Sequence, residues 1–330
     1  MKSPVHPIWW PTLASLSPVL LPLLAQKTRA FHRIRREAAE ENLQRIARAG
    51  PLALPELTSF QLDAIVEERA EPGYGRDSGV SYLLRTNLGK VLFDVGFGPD
   101  TATFERNFRR LRLSFNELDG VLVSHLHLDH MGGARAQWAS EIRVPEALGP
   151  SGSLPCWVPA ACSSRCFSVK PVSGPTQIAA GLGSTGPLAT SCFFSGAGHE
   201  QAAIALLKNR GLVLVIGCGH PTFELILEMV RRLSPAPIHA VIGGLHLPVT
   251  ASRVSKCGFA LQRLFGTGKD VFDPISDWDL EKTLKALQRA NPKRVFLSAH
   301  DSCDHALDRI QGRLKADVEI LQAGCTYCLT

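Results

Sequence analysis

The chain has 330 residues, 45% of them hydrophobic, with 28 Gly and 22 Pro. That composition supports a large buried core joined by many turns, and it excludes a disordered chain or a fibre. The formal charge is +6, yet residues 1–50 hold eight Lys/Arg against three acids, which leaves only +1 for the other 280 residues. The basic character therefore belongs to an N-terminal arm, and a nucleic-acid partner is not expected. Nine scattered cysteines, an odd number, with no recognisable secretory leader, point to a reducing, cytoplasmic compartment rather than to a disulfide framework.

Residues 8–26 (IWWPTLASLSPVLLPLLAQ) are apolar but short for a spanning helix, and Pro18 and Pro22 interrupt them. With Trp9 and Trp10 in front and a basic run from Lys27 to Arg36 behind, residues 8–36 suit either a peripheral membrane contact or an arm packed on the body or on a second copy in a homodimer. A helix is expected over residues 27–49, with Phe31, Ile34, Leu43 and Ile46 on its apolar face and Gly50-Pro51 as its stop. Residues 1–55 thus read as an arm and 56–330 as one catalytic domain. Short apolar runs predict strands at 62–67, 80–85 and 90–95, the last two joined by the turn Thr86-Asn87-Leu88-Gly89. A helix near 100–110 and a strand at 120–124 follow. Strands are predicted at 203–207, 212–216, 239–243 and 294–299, with helices at 222–233 and 278–290. Residues 146–195 and 250–277, rich in Gly, Ser and Pro, read as long loops. Cys156, Cys162, Cys166 and the terminal pair Cys325 and Cys328 read as ordinary thiols.

The densest chemical signal is Ser124-His125-Leu126-His127-Leu128-Asp129-His130-Met131-Gly132-Gly133, directly after an apolar strand. In extended backbone alternate side chains share a face, so His125 and His127 can converge on one ion. Asp129 and His130 follow on a turn that the two glycines permit and can face a second ion. Imidazole and carboxylate donors suit zinc, and also iron or manganese.

This segment resembles the metallo-β-lactamase superfamily, whose hallmark is the His-x-His-x-Asp-His loop. The resemblance covers roughly residues 60–325 and implies an α+β fold, an αββα four-layer sandwich, here with an N-terminal helical arm. It implies two divalent metal ions held by His125, His127, Asp129, His130, His220 and His300. It also implies that Asp94, at a strand end, orients the metal loop. The run Gly217-Cys218-Gly219-His220-Pro221 and the upstream Glu200-Gln201-Ala202 are similar to a subgroup typified by dihydropterin-ribofuranosyl-aminobenzene phosphate synthases. The superfamily usually places a bridging Asp where Cys218 stands, so the bridge is either absent or a thiolate. His246, in Gly243-Gly244-Leu245-His246, is a ligand, a proton donor or a substrate contact. Asp301 is a candidate to hold the second ring nitrogen of His300. His199 is a weaker ligand candidate, His305 and His239 read as surface and structural, and His6 and His32 lie outside the body.

The implied activity is hydrolysis of an ester-type bond, whether phosphoester, lactone or lactam, by a hydroxide activated at the metals, with Asp129, His246 and Asp94 as catalytic residues. The partner is a small, anionic substrate, for which Arg263 and Lys269 are candidate contacts. A di-iron redox enzyme of the same fold and a membrane-associated, non-catalytic protein are the alternatives, since fold does not fix function.

Overall fold

A computed structural model describes residues 7–149, 152–250, 255, 256, 259, 260, 268–270 and 272–329. His6 and Arg263 lie outside the described residues. Two mixed sheets face each other. The first runs, in spatial order, Thr326–Leu329, Phe60–Val66, Ser81–Thr86, Gly89–Phe93, Gly120–Leu122, Pro155–Val158 and Ser168–Pro171. Its first four strands are antiparallel and the rest run parallel. The hairpin closes at Thr86 opposite Gly89, as the turn sequence predicts. The second sheet is built around Ala203–Leu207, Gly211–Ile216, Ile238–Gly243, Arg294–Leu297 and Asp317–Ile320, the last four mutually parallel.

Strand periodicity sorts the side chains into layers. Leu62, Tyr82, Leu84 and Phe93 of one sheet meet Val213, Val215, Ile242 and Phe296 of the other in a central core. The alternate residues Leu212, Leu214 and Ile216 point outward and pack under helices Phe223–Leu233, Asp277–Ala290 and Asp304–Arg313. On the far side Leu83, Leu92 and Val121 pack under helix Thr103–Arg110 through Phe104 and Phe108. The result is the expected αββα sandwich with an N-terminal helix.

Three local expectations are corrected. The N-terminal helix is one element, Trp10–Arg48, and runs through Pro18 and Pro22. Each proline removes one amide from the helical ladder, and the helix continues through the Leu-rich sequence around both at a local cost. Its buried face is Phe31, Ala38, Asn42 and Ile46, while Leu43 is exposed. Asn42 occupies that face because its amide donates to the Ala189 carbonyl at 2.9 Å and accepts from the Ala189 N–H at 2.7 Å. Finally, residues 146–195 are not a long loop. They contain strands Pro155–Val158, Ser168–Pro171 and Leu188–Cys192, whose short lengths and polar composition hide the two-residue period. Only parts of 250–277 are described.

Candidate metal centre

Five parallel strands end at one edge of the sandwich, and each delivers a polar residue there. Asp94 follows Gly89–Phe93, and Ser124 and His125 follow Gly120–Leu122. Cys218 and His220 follow Gly211–Ile216, His246 follows Ile238–Gly243, and His300 follows Arg294–Leu297. The carboxyl ends of parallel strands form the natural crevice of such sheets, because the chain must turn outward there to reach the next helix.

Two donor sets meet in this crevice. The reactive atoms of His125, His127 and His220 lie within 4.8 Å of one another, as do those of Asp129, His130, Cys218 and His300, and those of Cys218, His220 and His246. His127 Nδ1 is 3.1 Å from His220 Nε2. Two imidazole nitrogens on one tetrahedral zinc stand about 3.3 Å apart, given Zn–N bonds near 2.0–2.1 Å. His130 Nε2 lies 3.5 Å from the Asp129 carboxylate. His127 precedes the one-turn helix Leu128–Met131, whose end at Gly132 requires a φ of 112° that glycine accepts without strain. That turn swings Asp129 and His130 from the first donor set to the second.

The donors are held from behind. The buried Asp94 carboxylate accepts the Ser124 N–H at 2.6 Å and its hydroxyl at 2.7 Å, and pairs with His130 Nδ1 at 2.7 Å. The Ser124 oxygen sits 2.9 Å from His125 Nδ1. Because its proton goes to Asp94, Ser124 accepts from His125, and the lone pair of His125 falls on Nε2. That buried Nε2 has no hydrogen-bond partner, as expected of a ligand atom facing an ion.

His300 Nδ1 is 2.5 Å from the Ser298 hydroxyl. Asp301 therefore does not take the expected place: its carboxylate accepts the His246 N–H at 3.0 Å and the Ser302 hydroxyl at 2.9 Å. Ser298 is backed by Glu67, a wholly buried carboxyl that also bonds Tyr82 and whose pKa burial pushes up to about 7. Glu200 lies under the Gly217–His220 turn and accepts the N–H groups of Cys218 (3.0 Å), Gly219 (2.7 Å) and His220 (2.8 Å). Sequence reasoning missed the roles of Ser124, Glu67, Ser298 and Glu200. For Glu67 there was a signal, a carboxylate ending the apolar run LDAIV; the others needed the fold.

Electrostatics separate the two sets. Burial and the neighbouring imidazoles push His125 well below its ordinary pKa, so it is neutral. Burial also pulls on His130, but Cys218, Asp129 and Asp94 outweigh it and hold this ring well above the usual value. Asp129 is held well below the carboxylate range despite its burial, by the charge and hydrogen bond of His130. The second donor set therefore attracts positive charge. Burial and the proximity of His127 lower His246 to about 3, and neither of its ring nitrogens has a hydrogen-bond partner.

The remaining candidates separate from the centre. His199 Nε2 pairs with Glu41 of the N-terminal helix at 3.0 Å and stays beside, not inside, the cluster. His305 forms a surface pair with Asp277 and His32 one with Asp270. Lys269 is engaged by Asp279 at 2.8 Å and by Asp273 at 3.6 Å. A cavity of about 390 Å³ opens onto the centre at His220 and His246, and its other walls include Arg35, Ala38, Trp278 and Lys282. A smaller one, about 210 Å³, reaches His125 and His127 past His199.

The model of the Metallo-beta-lactamase superfamily matches residues 74–152, which include Asp94 and the whole His125–His130 loop. Among solved structures the chain is similar to Tm1679, a metal-dependent hydrolase of the beta-lactamase superfamily, at 19% identity and a TM-score of 0.58, covering 82% of this chain and 99% of that one. It is also similar to the metallo-beta-lactamase fold protein YhfI from Bacillus subtilis, at 12% identity and a TM-score of 0.49, covering 82% and 100%. Human tRNase Z, short form, aligns at 12% identity and a TM-score of 0.46 over 81% and 98%. No curated protein matches the chain. At 19% identity the likeness to Tm1679 carries the fold alone, and the chemistry must be argued from the side chains.

Proposed function

We propose that the protein is a hydrolase that holds two divalent metal ions, one on His125, His127 and His220 and the other on Asp129, His130 and His300, and cleaves an ester-type bond in a small anionic substrate. One observation carries this reading: donors from four strand ends converge in two adjoining sets, and the buried His125 Nε2 has no hydrogen-bond partner. The donor chemistry suits zinc, and accommodates iron or manganese. Such a pair of ions supplies a nucleophile from water at neutral pH and an electrophile for the oxygen under attack.

The chain's own groups do the rest. Asp94 fixes the rotation of His130 and, through Ser124, that of His125. His246 faces the same crevice; its ring is neutral at neutral pH and is placed to hydrogen-bond a departing group through its N–H. The cavity wall carries Glu224, Asp273 and Asp279 as well as Arg35, Lys269 and Lys282; with Lys269 paired to Asp273 and Asp279, Arg35 and Lys282 are the groups assigned to an anionic substituent, and phosphoesters are ranked ahead of lactones or lactams on that account. The subgroup resemblance in the Gly217–Pro221 run supports the same order. On this reading residues 56–330 form the catalytic domain, and the N-terminal helix adds Arg35 to its cavity wall.

That helix and the turn before it expose Ile8, Trp10, Leu16, Val19, Leu21 and Leu23 ahead of a basic stretch. Among the described residues no helix is long and apolar enough to cross a membrane. Residues 8–36 therefore fit a peripheral contact of a cytoplasmic protein with an anionic bilayer, and vesicle flotation together with a measurement of oligomeric state separates this from a homodimer.

The test of the activity is direct. The purified protein is expected to carry about two equivalents of transition metal and to hydrolyse bis-p-nitrophenyl phosphate faster than a lactone or a chromogenic cephalosporin. A chelator should abolish turnover and lower the melting temperature, and readdition of metal should restore both. Turnover that survives complete metal removal would overturn the assignment.

A further inference from the structure

We infer that Cys218 is a metal ligand shared between the two ions, a thiolate in the place where the superfamily usually has a bridging carboxylate. The inference rests on the two-metal reading above and asks what this chain uses to join its two donor sets. Cys218 belongs both to the group with Asp129, His130 and His300 and to the group with His220 and His246. Its Sγ lies 3.1 Å from His130 Nε2 and 3.1 Å from His300 Nε2.

A thiol merely filling a buried gap would not need both rings aimed at it. Here each ring is turned from behind. Asp94 engages Nδ1 of His130, and Ser298 engages Nδ1 of His300. Both Nε2 atoms are therefore left to face the same sulfur. The backbone around the sulfur is equally fixed, because Glu200 gathers the three N–H groups of Cys218, Gly219 and His220. In the metal-free protein protons must occupy the spaces between sulfur and nitrogens. With a Zn–S bond near 2.3 Å and Zn–N bonds near 2.0–2.1 Å, sulfur and nitrogen on one tetrahedral ion stand about 3.5 Å apart, so a few tenths of an ångström of relaxation admits the ion. On loading, the S–H bond and the ring Nε2–H bond facing the sulfur break, both protons leave to solvent, and the freed lone pairs bond the metal; no electron is transferred.

Cobalt(II) tests this apart from activity. The wild-type protein loaded with two equivalents of Co(II) should show visible d–d bands and, in addition, an intense near-ultraviolet sulfur-to-cobalt charge-transfer band. Cys218→Ser and Cys218→Asp should each lose that band. Cys218→Asp should retain two equivalents of Co(II), because a carboxylate can still bridge. It also gives the reading if Cys218→Ser fails to fold. Cys303→Ser, which removes a buried thiol that belongs to none of the three donor groups, should leave the spectrum unchanged. Two bound Co(II) ions without a charge-transfer band, or a band that persists in Cys218→Asp, would overturn the thiolate bridge while leaving the two-metal reading intact. Failure of the folded wild-type protein to take up Co(II) or Zn(II) would overturn both.

Discussion

Replacing Asp94 with Asn changes one oxygen for an NH2 group at a wholly buried position that serves three partners. The amide can keep one acceptor toward Ser124. In the orientation that keeps the Ser124 N–H bond, its nitrogen replaces the oxygen that now accepts from both the Ser124 hydroxyl and His130 Nδ1 at 2.7 Å, and two donors meet at that ring. The ring relieves the clash by moving its proton to Nε2, the atom that points at Asp129 and Cys218, and a protonated Nε2 cannot bind a metal. Loss of such an outer partner typically costs 10- to 100-fold in metal affinity, about 1.4–2.8 kcal/mol. The larger cost should fall on the ion of His130, since His127 and His220 keep their lone pairs and His125 is reached only indirectly, through the Ser124 hydroxyl. Competitive titration of zinc against a chromophoric chelator, with both sites resolved, reads this. One site weakened 10- to 100-fold beside a clearly less affected one is the expected result. Equal weakening of both sites in a folded protein, or no weakening at all, would refute the tautomer argument.

Glu200→Gln should leave the protein folded but less stable by roughly 1–3 kcal/mol, because the amide can accept at one end of the turn and must oppose an N–H at the other; denaturant unfolding measures this. Asn42→Ala should cost a similar amount and speed amide exchange selectively in residues 188–200, where the N-terminal helix is pinned. His246→Ala should slow substrates with poor leaving groups more than those with good ones, and unchanged kinetics on the former would remove it as a contact of the departing group. Asp279, which closes the capping box of helix Asp277–Ala290, is the pH-sensitive case: burial acts upward, but hydrogen bonds from Lys269 and Ser276 hold its pKa below the usual carboxylate value. A lowered folded pKa means stabilisation that is present above the unfolded value near 4 and lost as pH falls through the folded one. Asp279→Asn should therefore destabilise by about 1 kcal/mol at neutral pH, with the gap to wild type closing in acid.

The two halves of the centre were unequally legible in the chain. His125, His127, Asp129 and His130 are neighbours in sequence, so strand alternation followed by a glycine-permitted turn was enough to expect two donor sets. Likewise the apolar runs at 212–216 and 239–243 announced strands because every residue in them is buried. His220, His246 and His300 could be named only as histidines at strand ends. Their joining to the loop depends on which strands lie side by side in parallel, a choice set by packing of two sheets and not by any local pattern. The same holds for the groups behind the donors. Asp301 lies next to His300 in sequence and was expected to serve it, yet the turn after Leu297 gives that place to Ser298, two residues upstream, and sends Asp301 to the His246 backbone. The buried carboxylates Glu67 and Glu200 acquire their roles from strands distant in sequence. Local composition fixes what a residue can donate or accept, whereas only the closed sandwich, which excludes water and sets distances to a few tenths of an ångström, decides to whom.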